Sequence, residues 1–94
     1  MKVTESFPHP NLDNHKIQIG VSTWTESNSV DEQTESIRRA VYNEEGKFSP
    51  HGSSEIPMED MTLLIRTCIQ RDRISRNEMT DILNDISASM QRLP

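Results

Sequence analysis

The chain has very little cysteine, aromatic residue or glycine. Among 94 residues there are one Cys, one Trp, one Tyr, two Phe and three Gly. A single cysteine excludes an internal disulfide, the staple that many small domains depend on. With aromatics at only 4 %, few side chains are large enough to fill a core efficiently. Apolar runs stop at three residues, as in Leu63-Leu64-Ile65, so no membrane-spanning helix is expected. No apolar stretch follows Met1-Lys2-Val3-Thr4-Glu5, so no signal peptide is expected. With the lone thiol, this makes the cytoplasm the expected location. Cationic excess is also missing. Ten Lys/Arg stand against fifteen Asp/Glu, a net charge of -5, which disfavours general nucleic-acid binding.

Apolar material is scarce but not randomly placed. Five Leu, nine Ile, four Val and two Phe sit just above the content at which chains stop folding. A domain this small and polar commonly leans on a disulfide, a metal or another chain. The first is excluded and the second lacks a ligand pattern, so association is the expected remedy.

Residues 1–28 read as an extended arm. Pro8 and Pro10 flank His9 and forbid a helix, and Asn11, Asp13 and Asn14 are turn formers. Val3 to Phe7 suits a short strand. Residues 15–24 alternate, with Ile17, Ile19 and Val21 on one face and Gln18, Gly20 and Ser22 on the other, as in a half-buried strand. Such a strand must pair within the chain or with another chain. Trp24 ends it, either as a roof on the core or as an anchor for a partner.

Residues 29–94 read as a three-helix domain. Ser29 with Glu32 has the form of a capping box, and Asp31, Glu32 and Glu35 crowd the first turns. Val30, Thr34, Ile37 and Val41 then give a stripe that predicts a helix over residues 30–45, stopped by Gly46. Residues 46–56 read as loop, with Phe48 its single large apolar residue. Pro57 opens a second helix, with Met58, Met61, Leu64, Ile65, Cys68 and Ile69 on a broad face that buries the thiol.

A second capping box, Ser75 with Glu78, and the pair Ile74 and Met79 predict a helix starting at Arg76. Met79, Ile82, Leu83, Ile86 and Met90 form its apolar side; Asn77, Asp81, Asn84, Asp85 and Gln91 lie opposite. The expectation is a mostly α chain (α+β minor) in which a helical hairpin over residues 57–92 packs with the 30–45 helix, beside one or two N-terminal strands. The two hairpin stripes are expected to cover each other, and a second copy to supply what remains.

No chemistry converges. His9, His15 and His51 lie in turns, and with Cys68 they show no metal-ligand spacing, so no metal or cofactor is expected. A Cys68–His nucleophilic pair would need an exposed, activated thiol. Asp81 and Asp85 sit one turn apart on a solvated face. No phosphate-binding, dinucleotide-binding or nucleophile-elbow motif occurs. The expected function is therefore non-enzymatic: a small acidic protein-binding and regulatory module, homodimeric, with inhibition of a nucleic-acid enzyme of the phage or mobile-element kind as the form considered. Its partner-binding candidates are Trp24, Asp31, Glu32, Glu35, Glu44, Glu45 and Phe48. The alternative is a helix-turn-helix DNA binder using Arg73, Arg76 and Asn77, although Asp72 and Glu78 lie within that basic cluster. The bland reading of its arginines is ion pairing with Asp72 and other acids.

Overall fold

The computed structural model describes residues 1–21 and 34–94. Among the described residues five strands precede two helices: β1 Lys2–Pro8, β2 His15–Val21, β3 Glu35–Tyr42, β4 Phe48–Ser49, β5 Glu55–Pro57, α1 Met61–Gln70 and α2 Arg76–Arg92. Single 3-10 turns occur at Pro50–Gly52 and Met58–Asp60. The strands form one curled antiparallel sheet in the order β1-β2-β3, and the far side of β3 is shared by β4 and β5. The chain divides into two compact units, Met1–Met61 and Thr62–Pro94.

The expected mostly helical fold is overturned: the larger unit is a half-barrel of strands. The predicted 30–45 helix is the chief correction. Residues 35–42 are strand β3, in register with β2 through Ile19↔Ile37, Gln18↔Arg38 and Lys16↔Ala40. Val30 to Gln33, with the supposed Ser29 cap, lie outside the described residues. The 30–45 stretch carries two periods at once. Ile37 and Val41 fit a helix face, but Ser36, Arg38, Ala40 and Tyr42 also alternate with Ile37, Arg39 and Val41. β-branched residues fit the pleat well, and ladder bonds to β2 on one side and β4 and β5 on the other decide the contest. Gly46 does adopt positive φ (79°), but in a hairpin turn and not a helix stop. Asn43 O accepts from Gly46 N at 2.9 Å, and Asn43 Oδ1 accepts from the amides of Glu45 and Lys47. The 46–56 loop is thus largely β4, a 3-10 turn and the start of β5.

The sheet buries an unexpected face. Gln18, Gly20, Ser36 and Ala40 are buried, while Ile17, Ile19, Val21, Ile37 and Val41 on the other face stay partly exposed. Ala40 is the one buried hydrophobic among the described residues. Small side chains on the inner face permit the tight curl, helped by a register irregularity between Val3 and Glu5 in β1. At Gly20 the fit is absolute: a Cβ there would collide with the carbonyl of Lys2.

Pro57, expected to open the first helix of the hairpin, instead ends β5, and α1 starts at Met61 after a 3-10 turn, whereas the signals around Ser75 hold. Ser75 Oγ accepts from Glu78 N at 3.2 Å, and the Glu78 carboxylate accepts from Ser75 N at 3.3 Å, so the capping box is complete. α1 closes with a Schellman turn: Arg73 N donates to Cys68 O at 2.8 Å and Asp72 N to Ile69 O at 3.1 Å. Asp72 takes the left-handed position, with φ 56°. The expected mutual cover of the two stripes fails, because α1 and α2 scarcely touch. Neither helix has a buried residue.

Candidate interaction surface

The inner face of the sheet gathers the densest polar network. Gln18 on β2 is 5 % exposed and stands at its centre. Its Nε2 donates to Tyr42 Oη at 3.0 Å and to Ser6 Oγ at 3.3 Å, while its Oε1 accepts from Arg38 Nε at 2.9 Å and Nη2 at 2.8 Å. Arg38 also lies 3.6 Å from Glu55, whose carboxylate meets the Met1 ammonium at 2.9 Å. Ring stacking closes the cluster: Phe48 packs edge-on against Tyr42, with centroids 5.9 Å apart, and under the Arg38 guanidinium at 4.4 Å. Cross-strand register brings these residues together, Gln18↔Arg38 and Tyr42↔Phe48 being direct partners. Sequence reading missed the network because its members lie up to tens of residues apart. The only local hint was a polar face on β2 that alternates as regularly as the apolar one.

Such a network holds a fold together and does little chemistry. Each polar group at its centre has a partner inside the chain, which is how a buried polar cluster becomes a source of order and not of cost. Among the described residues no three His, Cys, Asp or Glu side chains gather as metal ligands would. His9 Nδ1 accepts from the amides of Asn11 and Leu12, and its ring packs edge-on to His15 with centroids 6.1 Å apart, so both imidazoles build the β1–β2 turn. An open depression of about 370 Å³ bounded by Arg39, Gly52, Ser54 and Ile56 holds no acid–base pair.

The predicted partner-binding residues do not converge. Trp24, Asp31 and Glu32 lie outside the described residues. Glu35 opens β3 and Glu44 and Glu45 follow its end, so the run of β3 separates them by about 23 Å at 3.3 Å per residue. Glu45 makes one exposed contact with Lys47 at 3.7 Å, which contributes little. Phe48 packs against Tyr42 and Arg38 within the sheet and still keeps 38 % of its surface exposed.

The helical unit presents a different surface. Arg73, Arg76 and Asn77 are exposed at the junction of α1 and α2. The expected ion pairs between Arg71, Arg73 or Arg76 and Asp72 do not form among the described residues. Cys68, expected in the core, is exposed on α1. Leu63, Leu64, Ile65 and Ile69 on α1 and Leu83, Ile86 and Met90 on α2 all reach solvent, Leu63 at 66 % and Met90 at 70 %. An apolar surface of this density on two helices is the chain's clearest departure from a self-sufficient domain. No helix among the described residues is long and apolar enough to cross a membrane.

Compared with known protein families, with curated proteins and with solved structures, the chain matches none of them.

Proposed function

We propose that the chain is a non-enzymatic protein-binding module of regulatory type, working in the cytoplasm, and that its partner-binding surface is the apolar side of α1 and α2. One observation supports this above the others: two capped, locally well-formed helices carry large apolar side chains that nothing in their own unit covers. Burying a Leu or Ile contributes roughly 1.5–3 kcal/mol, so such a surface is a store of binding energy. A target with a basic groove, such as a nucleic-acid enzyme blocked by an inhibitor of phage or mobile-element kind, suits the net charge of -5 and the exposed Glu35, Glu44 and Glu45.

Affinity capture from the native host with matched variants tests the reading. A protein retained by the native chain and lost with Leu64→Asp/Ile69→Asp supports it. Retention of the same protein by that variant overturns the assignment to the helices. Loss with Glu44→Lys/Glu45→Lys identifies the basic-groove form.

DNA binding is the second reading, supported by the exposed Arg71, Arg73 and Arg76, which lack acidic partners among the described residues. A low-salt gel shift that disappears with Arg76→Ala would favour it, and no shift with the native chain would remove it.

A further inference from the structure

The exposed stripe of α2 has an internal symmetry. Met79, Leu83, Ile86 and Met90 are spaced four, three and four residues apart. Read from either end, that order is the same about a point between Asn84 and Asp85. At 3.6 residues per turn the four fall on an arc about 60° wide. Leu83 is 65 % exposed and Ile86 48 %. Beside the stripe Thr80 mirrors Ser89, like with like, whereas large Ile82 mirrors small Ser87, a pair that is complementary in size and not symmetric. Glu78, Asp81 and Asp85 lie on the opposite side of the helix, so two such stripes meet without like-charge repulsion.

We infer that α2 pairs with α2 of a second copy of the chain, antiparallel about a two-fold axis between Asn84 and Asp85. In that alignment Met79 of each chain faces Met90 of the other, Leu83 faces Ile86, and Ser87 leaves room beside Ile82. A four-three-four stripe supplies the alternating core positions that antiparallel coiled coils oppose across their seam. A two-fold contact requires that when one residue touches a second, the second touches the first, which this order satisfies and a partner of unrelated sequence would not need. At 17 residues α2 is about 25 Å long, so the pair is modest in size and its population depends on concentration. The inference deepens the proposed function and rests on its assignment of the apolar helix surface to partners.

Disulfide trapping tests the alignment in the full chain. In a Cys68→Ser background, Met79→Cys and Met90→Cys variants are made separately, one carrying a size tag. Mixed under mild oxidation, they should give the tagged–untagged cross-link, because the two positions lie opposite each other. Neither should cross-link alone, because equal positions then sit about 16 Å apart along the axis, beyond disulfide reach. Light scattering should give twice the 10.8 kDa chain mass at high concentration. Leu83→Glu, on an exposed side chain that folding does not need, should weaken self-association at least tenfold while keeping the helical circular dichroism. Cross-linking of Met79→Cys with itself would show a parallel pair and overturn the inference. So would a dimer that ignores Leu83→Glu. A monomer that still captures a protein through α1 and α2 would overturn the α2 pairing and leave the proposed function standing. A monomer that captures nothing would overturn both.

Discussion

At the scale of single residues, three buried positions carry predictions of opposite sign. Ser36 Oγ is fully buried and has no hydrogen-bond partner among the described residues. A buried hydroxyl left unpaired costs about 1–3 kcal/mol, so Ser36→Ala should raise the urea midpoint. Ser53 is the converse. Its Oγ accepts from Val41 N at 2.9 Å and donates to Ser49 O at 2.7 Å, tying β3 to the turn that follows β4. Ser53→Ala orphans a ladder amide and should lower stability by about 1–3 kcal/mol in the same measurement. Gly20→Ala pushes a methyl against the Lys2 carbonyl and should cost roughly 1–3 kcal/mol, with loss of β1 protection in amide exchange. None of the three signs is legible from residue type, because each depends on a group many positions away.

At the scale of elements, the helix ends obey local rules and the strands do not. Ser75 and Glu78 cap α2 through atoms three residues apart, so the sequence suffices to place its start. Ser75→Ala should lose about 1 kcal/mol of helix stability, read as lower ellipticity. Asp72 holds a left-handed conformation that an L side chain tolerates poorly, so Asp72→Gly should add stability of about 0.5–1 kcal/mol and sharpen thermal unfolding of α1. β3 shows the opposite case. Its eight residues satisfy a helical and an alternating pattern together, and only pairing with β2, β4 and β5 selects between them. Gly46 was legible as a positive-φ residue, but not as a hairpin residue, since the conformation is common to both uses.

At the scale of the whole molecule, stability is unevenly distributed. The sheet is held by ladder bonds and a polar network around Gln18, with Ala40 its one buried hydrophobic among the described residues. The helices have no buried residue at all. Regions with few buried apolar contacts open at low free energy. Amide exchange should therefore be fast throughout α1 and α2 at low protein concentration and slowest in β2 and β3. Raising concentration should slow exchange in α2 before any other element, since that element carries the self-pairing stripe. Uniform protection of helices and sheet in the dilute chain would contradict this distribution.

The sequence by itself determined the start of α2, the two first strands, the scarcity of core and the apolar sides of α1 and α2. Those depend on side chains within one turn or one pleat of each other, so adjacency in the chain is adjacency in space. Tertiary structure alone decided that residues 35–42 are a strand, that the polar face of β2 is the buried one, and that α1 and α2 do not cover each other. Each of these depends on what lies across a curled sheet or beyond a turn, and such distances are not written in any local period.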